Sequence, residues 1–229
     1  MRKRYEDFLR RLNQYRLYLN MTQDELSNAL GITQSQFSKI ELGKTVMPYR
    51  TLELLEGMGW DIDYLVTGKN FDRNASKLNE MLKQVEEEDK REVLNVVTWL
   101  LKQGMNKCCP NMSPEYKCEM EILQMRVSGE GPRSVLYEVR KISDVAQAIM
   151  AEKLGVNIKK YRKLEKKEVY PDVELLFHIY EVTRCKPSLI LHNDCVESII
   201  IDDLWNQITE PVQNKILTLT EQILWFLKM

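Results

Sequence analysis

Residues 22–44 constrain the fold of this chain more than any other stretch. Thr22 is followed three residues later by Glu25, and Thr33 is followed three residues later by Gln36. Each pair matches a capping box, in which two side chains satisfy backbone N–H groups that the start of a helix would otherwise leave unpaired. The stretch therefore predicts two short helices in close succession.

The apolar positions of both predicted helices face one common core. These positions are Leu26, Ala29, Leu30, Phe37 and Ile40. Gly31 lies between the helices, where a residue without a Cβ lets the backbone turn sharply. Gly43 is placed to end the second helix. This pattern is typical of two helices joined by a tight turn.

The outward face of the second helix carries short or forked hydrogen-bonding side chains and few charges. Its residues are Gln34, Ser35, Gln36, Ser38 and Lys39. Side chains of this kind form the hydrogen bonds that distinguish base pairs in the major groove of DNA. The face therefore indicates contact with nucleic acid.

The segment from about Tyr5 to Gly68 resembles the helix-turn-helix domain of the lambdoid phage repressor and Cro family, also called the xenobiotic-response-element family. The resemblance rests on Gln23, Gly31, Glu41, Gly43, Pro48 and the run Ile-Asp-Tyr-Leu-Val-Thr-Gly at 62–68. It implies a five-helix DNA-binding domain whose second motif helix lies in the major groove.

The resemblance also implies roles for individual residues. In this family a Gln that opens the first motif helix contacts phosphate, and the start of the second helix reads bases. Carried over to this chain, phosphate contact falls on Gln23. Base reading falls on Gln34, Ser35 and Lys39. The complete set of candidate DNA-binding residues is Gln23, Thr33, Gln34, Ser35, Gln36, Ser38, Lys39 and Lys44.

Apolar residues at helical spacing predict three more helices in this domain, over 5–19, 52–58 and 62–66. No β-branched alternation is present, so the fold class is all-α. Residues 71–104 are predicted to form a helical extension with a strong apolar stripe over 93–101. That stripe needs a partner, either another helix of this chain or a second subunit.

Residues 105–132 are predicted to be a linker, because turn-forming residues are denser there than elsewhere. The turn formers are Cys108-Cys109-Pro110, Ser113-Pro114 and Ser-Gly-Glu-Gly-Pro at 128–132. Within this segment, residues 115–127 form either a short helix or a strand, and their pattern does not distinguish the two.

The framework of the first domain recurs 124 positions later. The family buries an ion pair between its first helix and the end of its recognition helix, which here would join Arg16 with Glu41. Arg140 and Glu165 have the same separation of 25 positions. Recurrence at this many framework positions predicts a second, diverged helix-turn-helix over 133–193. We therefore expect a tandem repeat with segments 1–70, 71–104, 105–132, 133–193 and 194–229.

The second predicted recognition helix is strongly basic and has Ile158 where the first has Gln34. Its cations are Lys159, Lys160, Arg162, Lys163, Lys166 and Lys167. Such a helix suits phosphates, which give affinity without sequence information. The candidate residues of this second site are Gln147, Asn157, Lys159, Lys160 and Lys163. The alternative is that the basic run is only a solvated helix face.

Composition narrows the function classes. Positive and negative side chains nearly cancel, with 33 against 34. Five Cys without an apolar leader indicate a reducing cytoplasm, and no run of apolar residues is long enough to span a membrane. Cys108, Cys109 and Cys118 lack the spacing of a metal site, and neither His178 nor His192 accompanies them. No cofactor, metal or catalytic constellation is expected, so the chain is not predicted to be an enzyme.

The sequence as a whole predicts a cytoplasmic, DNA-binding transcriptional regulator, specifically a repressor. Its partner would be double-stranded DNA, bound either as a homodimer joined through the apolar helices or by one chain that presents two motifs. The closest rival is a protein-interaction module of the antitoxin or anti-repressor type. No residue pattern identifies a small-molecule or peptide effector.

Overall fold

The structure, a computed structural model, describes residues 2–71, 74–129, 133–192 and 195–227. These residues form fifteen α-helices and no strand, which confirms the all-α prediction. The helices are α1 (Arg2–Tyr18), α2 (Gln23–Ala29), α3 (Gln34–Glu41), α4 (Tyr49–Gly57), α5 (Ile62–Thr67), α6 (Lys77–Leu82), α7 (Glu87–Cys108), α8 (Pro114–Ser128), α9 (Val135–Ile142), α10 (Gln147–Lys153), α11 (Ile158–Glu165), α12 (Val173–Thr183), α13 (Pro187–Leu191), α14 (Val196–Trp205) and α15 (Glu210–Leu227).

The helices group into two compact units, each built from two separate stretches of chain. Unit 1 comprises Met1–Asn70 and Val145–Leu191, and unit 2 comprises Phe71–Asp144 and His192–Met229. The divisions after 70 and after 191 lie at or close to predicted boundaries. The division after 144 does not, because α9 belongs to unit 2 although the segment 133–193 was expected to be one domain. Helices α2 and α3 and the helices of the predicted second motif, α10 and α11, therefore lie in one unit.

The first half of unit 1 consists of α1 to α5 around a closed apolar core. Fully buried side chains include Phe8, Leu12, Leu26, Phe37, Leu52, Leu55, Ile62 and Leu65. Both predicted capping boxes form, at Thr22 and at Thr33. One predicted core position is wrong: Ala29 is exposed. Ser27 is buried in α2 instead, because its hydroxyl donates to the carbonyl of Asp24 and so satisfies its own polarity.

The second half of unit 1 packs onto the first through α12 and α13. Helix α12 lies against α1 and α5, and α13 lies against α5. The rings of Phe8 and Phe177 meet edge to face, with centroids 6.1 Å apart. The Asp63 carboxylate accepts hydrogen bonds from the Ser188 N–H and hydroxyl, both at 2.8 Å, and both residues are fully buried. Polar and apolar contacts thus join the two halves of this unit.

In unit 2 the predicted linker over 105–132 is wrong for most of its length. Helix α7 continues through Gly104 to Cys108, and Pro114–Ser128 forms α8. Pro114 occupies the first turn of α8, where a proline needs no backbone hydrogen bond, so the turn formers mark a helix start. The open choice between helix and strand is resolved as helix, and the α8 residues Cys118, Met120, Ile122 and Leu123 are buried.

The apolar stripe of α7 finds its partners within the same chain. Helix α7 packs against α8 and α15, and its residues Val93, Val97, Leu100 and Leu101 are buried. Gly104 allows a close approach, because a Cβ there would lie 2.8 Å from Ile208 Cδ1. Most of the stripe is thus covered within the chain, although Val96 is 38% exposed, and homodimerisation stays a prediction. Across the described ranges, no helix is both long and apolar enough to cross a membrane.

A buried ion network also stabilises unit 2. Arg126 Nε lies 2.9 Å from Glu138 Oε2, and a second guanidinium nitrogen lies 3.1 Å from Glu197 Oε1. Burial raises the pKa of Glu138, and the neighbouring Arg126 opposes that rise. The network joins α8, α9 and α14.

Candidate nucleic-acid interface

The N-terminus of α3 is shaped by two of the predicted DNA-binding residues. The Thr33 N–H donates to Gln36 Oε1 at 2.9 Å, and the Gln36 N–H donates to Thr33 Oγ1 at 3.2 Å. Both side chains thus satisfy backbone groups of the first turn. They position the exposed face of α3, and their direct contact with DNA stays a prediction.

A buried ion pair fixes the C-terminal end of α3 against α1. Arg16 Nε lies 3.1 Å from Glu41 Oε1, and the two side chains are only 9% and 10% exposed. The other guanidinium nitrogens donate to the Met21 carbonyl at 2.6 Å and to Asn13 Oδ1 at 2.7 Å. With its charge paired and its donors used, the guanidinium can remain buried. The partners are those that the resemblance implied.

Hydrogen bonds continue from this ion pair to the surface of α3. Gln23 Nε2 donates to the Glu41 carboxylate, and Gln34 Nε2 donates to Gln23 Oε1 at 2.9 Å. A carboxylate can only accept, so the amino end of the Gln23 amide must face Glu41 and its oxygen must face Gln34. The orientation of the exposed Gln34 side chain is thereby set by a chain of contacts that begins at the buried Arg16. The sequence predicts Gln23 and Gln34 individually as site residues, but no sequence pattern shows that their side chains are linked.

The remaining predicted residues lie on or beside the same face. Ser35, Lys39 and Lys44 are exposed, as are Gln34 and Gln36, whereas Ser38 and Gln23 are half-buried. Lys39 is in the last turn of α3, and Lys44 follows its end. The structure therefore brings the predicted set together at one exposed face of unit 1.

Tyr5 holds the segment that follows α3, a role that the sequence analysis did not assign. Its hydroxyl donates to the Thr45 carbonyl at 3.0 Å and accepts from the Met47 N–H at 2.9 Å. Burial raises the pKa of Tyr5 to about 12. A tyrosine on the apolar face of a predicted helix indicates a buried hydrogen bond, because a buried phenol needs a hydrogen-bond partner.

A cleft of about 700 Å³ opens beside this face within unit 1. Gln23 and Ser38 contribute to its lining, together with carboxylates from Glu6, Glu41 and Glu174. Arg10 also lines the cleft and Glu41 is paired with Arg16, so the lining carries charges of both signs.

The region predicted to be a second helix-turn-helix motif repeats several of these arrangements. Asn157 Oδ1 accepts from the Lys160 N–H at 2.8 Å and so caps α11, as Thr33 caps α3. Gln147 Nε2 donates to Glu165 Oε2 at 2.5 Å, as Gln23 does to Glu41. The Tyr161 hydroxyl donates to Glu165 Oε1 at 2.8 Å.

Charge distinguishes the second motif from the first. Gln147 Oε1 accepts from Arg162 Nε at 3.2 Å, so a charged side chain makes the bond that Gln34 makes to Gln23, although Arg162 is the equivalent of Ser38. The side chains of Lys159, Lys160 and Lys163 are exposed. Arg140 belongs to unit 2, with its guanidinium 5.2 Å from the centre of the Tyr137 ring. Its expected ion pair with Glu165 stays a prediction.

The cysteines that were considered as metal ligands have ordinary surroundings. Cys118 is buried in α8, whereas Cys108 Sγ lies 3.4 Å from Thr209 Oγ1 and Cys109 Sγ lies 3.4 Å from the Gln207 carbonyl oxygen. Among the residues that the structure describes, no three His, Cys, Asp or Glu side chains are arranged to hold a metal ion.

Comparison with known families assigns the first domain. Residues 10–71 match a family described as "Helix-turn-helix domain". No curated protein and no solved structure matches the chain closely enough to extend this comparison. The match covers about half of α1 and all of α2 to α5, which is about a quarter of the chain, and the predicted second motif lies outside it. The N-terminal part of this protein is therefore a helix-turn-helix domain, of the kind found in DNA-binding regulators.

Proposed function

We propose that this protein is a sequence-specific transcriptional repressor that reads the major groove with α3. One observation carries the proposal. Gln34, at the exposed start of α3, is held through Gln23 and Glu41 to the buried Arg16. Such preorganisation favours recognition, because fewer side-chain rotamers have to be ordered when DNA binds.

The chemistry of Gln34 favours adenine as its target. A glutamine amide recognises adenine by accepting from N6 and donating to N7. One Nε2 hydrogen of Gln34 is used by Gln23. The second hydrogen and Oε1 form the pair of groups that this bidentate contact requires. Ser35 and Lys39, exposed on the same helix, supply further groups for neighbouring bases.

Phosphate contacts would hold the duplex in register. Gln23 has a second amide hydrogen beyond the one given to Glu41, and Lys44 is exposed just after the end of α3. In the predicted second motif, the exposed Lys159, Lys160 and Lys163 add positive charge, but they have no amide that could read adenine through two hydrogen bonds. We assign base reading to the first motif and electrostatic attachment to the second.

Repression follows from occupancy of the DNA. A protein bound across an operator that overlaps a promoter excludes other proteins from the same groove and needs no further catalytic or contact function. A reporter gene with the selected binding sequence placed within its promoter should therefore lose expression when the protein is present, and an increase would indicate an activator.

In-vitro selection of randomised duplexes by the full chain at physiological salt tests this function. Enrichment of a defined sequence is the expected result. Binding that depends strongly on salt but enriches no sequence would show that the protein binds only the phosphate backbone of DNA. Absence of binding would overturn the proposal and favour the antitoxin or anti-repressor type of module, whose partner is a protein.

A further inference from the structure

We infer that helices α2–α5 and α10–α13 of unit 1 form an intramolecular pseudo-dimer, so that one chain occupies an asymmetric operator by itself. The inference rests on the proposed function, because it requires α3 to bind DNA. It specifies the partner further: a duplex with one defined sequence box and, about one helical turn away, a segment held only by its phosphates.

The first support is the pairing of equivalent helices. When the sequence is shifted by 124 positions, α5 corresponds to α13, and these two helices pack against each other. In a two-fold interface, a surface meets its own equivalent on the partner. The contact between α5 and α13 has this character, although both helices belong to one chain.

The buried polar contact at this interface lies where a local two-fold axis would pass. Asp63 binds the N–H and the hydroxyl of Ser188. The same shift carries position 63 to 187 and position 188 to 64, so each residue contacts the immediate neighbour of its own equivalent. The equivalent of the contact between 63 and 188 is a contact between 187 and 64, which is displaced by only one residue at each end. A contact and its equivalent lie this close together only next to a two-fold axis.

The segments that follow the two recognition helices meet in a reciprocal way. The Val173 N–H donates to the Met47 carbonyl at 3.3 Å. The rings of Tyr49 and Tyr170 stack, with centroids 4.2 Å apart and planes inclined by 19°. Position 173 is the equivalent of 49, and 170 is the equivalent of 46. Each contact therefore links a residue near 46–49 in one motif with a residue near 170–173 in the other.

The segments that make these contacts follow both recognition helices closely in sequence. Helix α3 ends at Glu41 and α11 ends at Glu165, and in each case the contacting segment follows within a few residues. In dimers of helix-turn-helix domains, two-fold symmetry lets the recognition helices enter successive major-groove segments roughly 34 Å apart. One chain with a local axis can make the same pair of approaches.

The same packing leaves α5 unavailable to a second chain. Helix α5 is already covered by α12 and α13, and Asp63 is fully buried there. A second chain cannot pair its own α5 with this helix unless unit 1 opens. The two motifs also differ, with glutamine at the start of α3 and lysines on α11, so the operator has no reason to be palindromic.

The test uses the full chain and the duplex obtained by selection. Native mass spectrometry gives the number of chains per duplex, and hydroxyl-radical footprinting gives the protected sugars. We expect one chain per duplex and two protected patches about one helical turn apart, of which only one coincides with the selected sequence. Two chains on a palindromic site would overturn the inference and leave the proposed function intact. Absence of any binding would overturn both.

A pair of matched variants tests which motif makes the second patch. The double variant Lys159→Ala with Lys160→Ala changes two exposed residues. It should abolish the outer patch, which is the protected patch outside the selected sequence, while one chain still binds the selected box. The control is Lys83→Ala with Lys107→Ala, which removes equal charge from exposed sites in unit 2 and should preserve both patches. An outer patch that survives the first pair would contradict the pseudo-dimer.

Discussion

Gln34 Nε2 donates a hydrogen bond to Gln23 Oε1 at 2.9 Å, which joins the first residue of α3 to the first residue of α2. Because Gln23 is itself tied to Glu41, the orientation of a base-reading side chain depends on a buried ion pair. Coupling between these residues should therefore be measurable in DNA affinity as well as in stability.

Gln34→Ala should weaken binding to the selected duplex by about 1–3 kcal/mol and relax the preference at one base pair. Competition binding to duplexes that vary at each position measures both effects. Gln222→Ala, an exposed glutamine on α15, is the control and should leave affinity unchanged. A loss that is equal at every position would mean that Gln34 does not read a base.

A double-mutant cycle with Gln23→Ala tests the link itself. Contacting residues have interaction energies of about 0.5–3 kcal/mol, so the combined loss should differ from the sum of the single losses. Strict additivity in DNA affinity would show that the hydrogen bond between the two amides has no part in recognition.

Lys159→Ala with Lys160→Ala should lower affinity for all duplexes alike. If both side chains contact phosphate, the slope of log affinity against log salt should flatten by about 2. Titrations at several salt concentrations measure it, and Lys83→Ala with Lys107→Ala provides equal charge removal for comparison. An unchanged slope would show that the predicted second motif does not contact the DNA through these lysines.

Glu41→Gln should destabilise unit 1 by about 3 kcal/mol, because it leaves the Arg16 guanidinium buried without an anion. Urea denaturation followed by circular dichroism measures the change. Glu168→Gln alters an exposed carboxylate and should stay within about 0.5 kcal/mol of the parent. Equal stability of the two variants would show that the buried pair contributes no more than an exposed charge.

Tyr5→Phe should cost about 1–3 kcal/mol, because the buried Met47 N–H loses its acceptor. Burial raises the pKa of Tyr5 to about 12, so Tyr5 also makes the stability of the protein depend on pH in the alkaline range. The folded state keeps this proton after the unfolded state has lost it near pH 10, so stability falls as pH rises from about 10 to 12.

Urea denaturation at a series of pH values should therefore show a shallower alkaline decline for Tyr5→Phe than for the parent. Tyr18, which is 80% exposed, supplies the control Tyr18→Phe, whose decline should follow the parent. Identical slopes for all three proteins would mean that the Tyr5 phenol is not held in its neutral form.

Local features of the fold could be predicted from the sequence, because their causes lie within a few residues. Thr22 with Glu25 and Thr33 with Gln36 form capping boxes whose spacing alone predicts two helix starts. Gly31 adopts the positive φ that the tight turn requires. The residues of the exposed face of α3 follow from the same periodicity.

Long-range features could not be predicted, because their causes are not visible in local patterns. Nothing in the spacing of Phe177 shows that it packs on Phe8 across the two halves of unit 1. The bonds between Asp63 and Ser188 likewise join residues 125 positions apart. Pro114 contributes to the linker prediction, but a proline is equally suited to the first turn of a helix such as α8.

The most direct test compares the affinity of the full chain for the selected duplex with that for a scrambled duplex of the same composition, at physiological salt. Sequence-specific recognition through α3 predicts tighter binding to the selected duplex by about 10³-fold or more. Gln34→Ala should reduce that ratio while leaving the affinity for the scrambled duplex unchanged. Equal affinity for the two duplexes would contradict sequence-specific recognition.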